Sequence, residues 1–345
     1  MNNYEFWVGT KIWNDKYGVS RYLKKGKREL VDILDNFRKA DVIIFGDSVM
    51  NFADPMENNK TSVPRFLLNN GSVRGKVYNF SAGSYSSLVH SLLFTYKNDE
   101  VLDALDGKLI IYEINLRSFS DEWYIRPNCR FEHIKCWLDN KASLLDLLFS
   151  DKLYTETEMY NNLQISPEIS KFSEFKGVDT IHKAYEMMGG GKNLKARQKF
   201  CYGYSRERLF FRLKELTHVC NVFNSLRSKV VLFLTPINYL NFDESLMSVI
   251  NLNVETIIQS ISRKENNLEI FDLTEKIDKS LFLDKEHLNS NGRKILADNI
   301  GNIVRDTCIS SMESDIIHFQ GTCFRQVLKP DYLKFAKIYK EFHNV

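Results

Sequence analysis

Several things that would announce a function are missing from this chain. Its six cysteines, at 129, 136, 201, 220, 308 and 323, form no C-x-x-C pair and stand at no metal-ligand spacing from a histidine. They read as free, mostly structural thiols, and neither a bound metal nor a disulfide framework is expected. Neither sign of charge dominates. Lys and Arg number 47 and Asp and Glu 44, a formal net charge of +3, which gives no reason to expect nucleic acid or an anionic membrane as principal partner. No apolar run approaches the roughly 20 residues that span a bilayer, so an integral membrane protein is not expected. The opening "MNNYEFWVGTKIWNDKYG" lacks the basic start and apolar stretch of a signal peptide, and a cytoplasmic location is expected. "MGGGKNLKA" (188–196) is not a phosphate loop: Glu186 holds the place of its first glycine and Asn193 that of its Ser or Thr. It reads as a turn before a helix. There is no internal repeat and no low-complexity segment.

What is present suits a globular α/β protein. The 345 residues, 43% hydrophobic and 26% charged, can bury a substantial core as one large domain or two smaller ones. "KRELVDILDNFRK" (27–39) sets Leu30, Ile33, Leu34 and Phe37 on one helical face, and the apolar run "DVIIFG" follows at once. Four further short runs read as buried strands: "KVYNF" (76–80), "KLIIYEI" (108–114), "KVVLFLT" (229–235) and "LEIFDL" (268–273). The helix "GRKILADNIGNIVRD" carries Leu296, Ile300, Ile303 and Val304 at helical spacing. Continuous apolar strands alternating with helices predict a parallel sheet covered on both faces. Between 114 and 229 lie about 115 residues without a convincing strand, more than a crossover helix needs. Residues 116–228 are therefore read as a mainly helical insertion, and 306–345 as a C-terminal helical extension.

Ligands of open parallel sheets bind beyond the carboxyl ends of the strands, so the polar residues that follow each run carry the functional argument. They are Gly46, Asp47 and Ser48 in "VIIFGDSVMNF"; Ser81, Ala82 and Gly83 in "NFSAGSYSS"; Asn115 in "YEINLRSFS"; and Asp284 and His287 in "FLDKEHLNSNG". The set meets the needs of acyl transfer. A serine hydroxyl needs a base, which His287 could supply, and a carboxylate such as Asp284 would fix the histidine's tautomer. An oxyanion needs hydrogen-bond donors, and the Ser48 and Gly83 N–H groups and the Asn115 amide are candidates. Asp47 reads as a buttress of its own turn, and Asn289 as a cap of the last helix.

Together these four blocks resemble the SGNH (GDSL-type) hydrolases, in order: "FGDSV", "NFSAGSYS", "YEINL" and "DKEHLNSNGR". The resemblance covers about residues 40 to 305, apart from the insertion. It implies a single domain with a flavodoxin-like three-layer α/β/α fold and a five-stranded parallel sheet. It also implies serine esterase or acyltransferase chemistry without metal or organic cofactor. Ser48, Asp284 and His287 would be catalytic, and Ser48, Gly83 and Asn115 would form the oxyanion hole. Three positions depart from the pattern: Val49 replaces the usual leucine, Glu113 the glycine of G-x-N-D, and Leu116 its aspartate. "NLRSFSDEW" with "LTPINY" resembles, more loosely, larger bacterial members often linked to glycan modification, which suggests an O-acetylated carbohydrate substrate. Arg117 could bind a substrate carboxylate or phosphate, or pair with Glu113, Asp121 or Glu122. Asn238 and Tyr239 could line the pocket or make the turn after Pro236. A lipid or lysophospholipid esterase, or a non-catalytic binding protein that kept the fold, are the alternatives.

Overall fold

The computed structural model describes residues 5–8, 26–51, 57–81, 85–96, 98–120, 202–204, 206–240, 242–262, 268–283 and 286–320. Contacts divide the chain into two units, Met1–Val304 and Arg305–Val345. The sheet and the candidate site lie in the first. Of the second, the described part is the end of the last helix. Residues 121–201, most of the expected insertion, and 321–345 lie outside the described residues.

Among the described residues the elements run β1 (Glu5–Val8), α1 (Gly26–Lys39), β2 (Val42–Gly46), α2 (Ser48–Asn51), α3 (Val63–Asn69), β3 (Lys76–Ser81), α4 (Ser87–Tyr96), α5 (Asn98–Leu105), β4 (Leu109–Ile114), α6 (Arg206–Asn224), β5 (Lys229–Leu234), α7 (Glu244–Ser262), β6 (Ile270–Asp272) and α8 (Ser290–Gln320). Single 3₁₀ turns cover Leu116–Phe119 and Lys279–Leu281. All strand pairs are parallel, in the order β1-β3-β2-β4-β5-β6.

The five expected strands are all there and take the flavodoxin-like order, 2-1-3-4-5 when counted from β2. Two differences from expectation stand at the edges. A sixth strand, β1, pairs with β3 in the register Glu5↔Lys76; its four residues are too few to carry a period. The run expected at 268–273 narrows to the three residues of β6, only partly buried because an edge strand has a neighbour on one side.

Alternate residues of each inner strand are buried on opposite faces. Ile43 and Phe45, Tyr78 and Phe80, Ile110 and Tyr112, and Leu232 and Leu234 share one apolar cluster with residues of α1, α4, α5, α6 and α7. Their neighbours Val42, Ile44, Val77, Ile111, Val231 and Phe233 are equally buried outside that cluster, as are Leu67 of α3 and Leu296, Ala297 and Ile300 of α8. Two buried faces are what turned these runs into continuous apolar stretches. Parallel pairing also brings every strand's carboxyl end to one edge. The order reverses at β2, which lies between β3 and β4, so the turns after β2 and β4 flank the crevice where such sheets bind ligands.

Candidate functional site

Ser48 is the first residue of α2, separated from β2 by Asp47 alone. Its Oγ lies 2.9 Å from His287 Nε2. Residues 239 positions apart in sequence thus meet at hydrogen-bond distance, both partly exposed.

The histidine is presented by a closed loop. Phe282 and Leu288 form an antiparallel bridge, the Leu283 N–H donates to the His287 carbonyl (2.7 Å), and the Asn289 N–H donates to the Leu281 carbonyl (2.8 Å). Asn289 then caps α8, its Oδ1 accepting the Gly292 N–H at 3.0 Å. Gly292 is needed for this close approach, since a Cβ there would stand 2.9 Å from the Leu281 carbonyl oxygen and 3.1 Å from Leu288 Cβ. Arg293, 0% exposed, anchors the loop from beneath. Its guanidinium donates to the carbonyls of Asn59 (2.8 Å), Thr61 (2.9 Å) and Leu288 (2.7 Å) and to Glu57 Oε2 (2.8 Å). The other Glu57 oxygen accepts the Ser290 N–H at 2.6 Å, a carboxylate at the helix N-terminus.

Around the nucleophile turn the polar groups are fixed by one another. Asp47 Oδ1 accepts the Val49 N–H and Oδ2 accepts Asn115 Nδ2, both at 2.7 Å. Asn115 Oδ1 in turn accepts the Arg117 N–H at 3.0 Å, which starts the 3₁₀ turn after β4. The Asp47 N–H donates to Glu113 Oε2 at 2.6 Å. Gly46 makes room for that carboxyl: a Cβ on it would collide with Glu113 Oε2. Burial pushes the Asp47 carboxyl up, and pushes Glu113 well above the ordinary carboxylate range, with the Asp47 charge adding to it. On the other side of β2, Asn51 Nδ2 donates to the Ser81 carbonyl, and Asn51 Oδ1 accepts Asn79 Nδ2 at 2.5 Å. This ties α2 to the end of β3, two residues before Gly83.

Gly83 and Asp284 lie outside the described residues. Arg117 forms an ion pair with Glu286, the residue before His287; Asp121 and Glu122, two of the acids expected for it, lie outside the described residues. Asn238 Oδ1 accepts the Leu240 N–H at 3.0 Å in the turn after β5, and the Tyr239 ring packs edge-on against Phe242 at 5.6 Å. A small cavity beside the nucleophile turn is lined in part by Gly46, Asp47, His90, Glu113, Asn115 and Phe119. Within it His90 is 1% exposed, with Nδ1 3.0 Å from the Tyr112 hydroxyl. Burial lowers its pKa to about 3, so it is neutral at ordinary pH. Among the described residues no group of three or more His, Cys, Asp or Glu side chains could hold a metal, and no helix is long and apolar enough to cross a membrane.

Sequence reasoning passed over Glu286, Glu57 and Arg293. Arg293 ends the "DKEHLNSNGR" block, but an arginine in an exposed-looking helix start gives no sign that it will be fully buried. Glu286 and Glu57 show no local pattern at all, because their partners are far away in the chain.

No family model and no curated protein matches the chain. Among solved structures it is similar to one described as "a putative arylesterase from Agrobacterium tumefaciens str. C58", at 12% identity. The match covers 78% of this chain and 99% of that one, with a TM-score of 0.32.

Proposed function

We propose that the protein is a serine esterase or acyltransferase that forms an acyl-enzyme on Ser48. The observation that carries this reading is the 2.9 Å approach of His287 Nε2 to Ser48 Oγ at the carboxyl edge of a parallel sheet. With the proton on Nδ1, Nε2 takes the Ser48 proton as Oγ attacks the ester carbonyl, then returns it to the departing alcohol. Asp284, three residues before His287, is the carboxylate that holds Nδ1–H. The oxyanion is held by the N–H groups of Ser48 and Gly83 and by Asn115. A side-chain amide nitrogen carries two hydrogens; Asp47 takes one, and the other serves the oxyanion. Water or a sugar hydroxyl then releases the acyl group. The substrate class we favour is an O-acetylated carbohydrate, supported by the looser resemblance of "NLRSFSDEW" and "LTPINY". No metal or organic cofactor takes part in these steps.

A fluorophosphonate probe tests the proposal. Wild type is expected to be labelled, Ser48→Ala not at all, and His287→Ala slower by on the order of 10²-fold or more. Unlabelled wild type, or undiminished labelling of Ser48→Ala, sinks the reading. Acetylated sugars compared with long-chain esters then separate carbohydrate from lipid substrates.

A further inference from the structure

Glu113 is out of place for its chemistry. It lies on an inner strand, level with Phe233 of β5, and is 5% exposed. One of its oxygens accepts the Asp47 N–H; the other, Oε1, has no hydrogen-bond partner among the described residues. The Asp47 carboxyl, itself 2% exposed, belongs to the residue whose N–H Glu113 binds, and its charge acts on the Glu113 carboxyl. Two desolvated carboxyls so close cannot both be ionised without a large penalty, so the pair keeps a proton.

Donor count decides which residue holds it. N–H groups favour the charged form of the carboxyl they bind. Asp47 receives two on its carboxyl, from Val49 and Asn115, and Glu113 receives one. We propose that Glu113 is a positioning residue that works as a neutral carboxylic acid, its O–H donating to the Asp47 carboxylate, which in turn holds the nucleophile turn and the Asn115 amide in place. No atom of Glu113 needs to touch the substrate.

The surroundings agree. Burial and the Asp47 charge both raise Glu113 well above the usual carboxylate range, and the charge of Glu286 in the histidine loop adds to this. Arg117 faces Glu286 and forms an ion pair with it. Tyr112, the preceding residue, is also driven upward by burial and stays a neutral phenol. His287 stands beside Glu286, and His90, neutral by burial, lines the same cavity as Glu113. Gly46 completes the arrangement, since any larger residue would displace the Glu113 carboxyl.

The effect on catalysis rests on the serine-hydrolase reading; the protonation state does not. The two are therefore measured separately. In protein labelled with ¹³C at the glutamate side-chain carboxyls, one resonance is expected to stay at the protonated position at neutral pH and to vanish in Glu113→Gln. Full ionisation of every glutamate at neutral pH overturns the proposal, whatever the activity. Labelling of Ser48 by the fluorophosphonate then reads the positioning role. Glu113→Gln, whose amide can donate to Asp47 and accept its N–H, should react at close to the wild-type rate. Glu113→Ala should be slower on the order of 10²-fold, the typical loss for a misplaced oxyanion donor. The wild-type rate should fall as the acid ionises at alkaline pH, and the Gln variant should lack that fall. A Gln variant as slow as Ala, or an Ala variant as fast as wild type, overturns the assignment. Absence of labelling in a wild type that keeps the protonated resonance refutes the hydrolase reading and leaves the neutral acid standing.

Discussion

Arg117 and Glu286 tie two loops of the site together, one after β4 and one ahead of α8. Their side chains are 10% and 7% exposed, so each ion has lost most of its water. Removing one end takes a charged partner from a buried ion, whereas removing both leaves an apolar gap that can repack. Glu286→Met alone is expected to destabilise the fold by about 3–5 kcal/mol in urea unfolding. The double variant Arg117→Met/Glu286→Met should recover most of that loss. Equal losses in the single and double variants would show that the pair is not coupled. Neither partner was legible as such. The sequence offers nearer acids to Arg117, and only the return of the chain at β6 and the histidine loop sets Glu286 opposite it.

At the scale of elements, the start of α8 carries the geometry of the histidine loop. Its cap was legible: Asn289 stands just before a periodic helix, with a glycine three residues on. The network beneath it was not. Arg293 links α8 to the segment before α3 through Glu57 and two backbone carbonyls, and to its own loop through Leu288. Arg293→Met keeps the apolar stem but removes every donor. It is expected to cost about 3–5 kcal/mol, as for a broken buried ion pair, and to speed amide exchange around residues 57–61. Glu57→Gln keeps an oxygen for the Ser290 N–H but sets an amide N–H against the Arg293 guanidinium; with the three backbone carbonyls of Arg293 intact it should cost less, about 1.5–3 kcal/mol. A loss for Arg293→Met no larger than for Glu57→Gln would refute the anchoring role.

Over the whole molecule, two buried groups give stability opposite pH slopes. His90 is neutral in the folded state, with a pKa lowered from 6.5 to about 3. The unfolded chain therefore binds a proton that the folded chain refuses, and stability falls as pH drops from about 6.5 toward about 3. Glu113 is raised above 4.5. There the folded chain keeps a proton that the unfolded chain releases, and stability falls as pH rises above that value. Replacing His90 with Phe should flatten the acid side by up to about 1.4 kcal/mol per pH unit, measured as urea midpoints between neutral and acid pH. Parallel curves for wild type and variant would contradict the assignment.

Legible in the chain were the inner strands, α1 and α8 among the helices that cover them, and the positions of Ser48, Asn115 and His287 at strand ends or ahead of the last helix. Those features follow from local periodicity, from apolar runs made continuous by burial on both faces, and from short-range turn and cap chemistry. Packing alone set which polar groups share a desolvated space. The contact of Glu113 with Asp47 over Gly46, the pairing of Arg117 with Glu286, and the burial of Arg293 all join residues distant in the chain. Their charges and protonation states depend on how much water the packing removes, a quantity that no local stretch of sequence encodes.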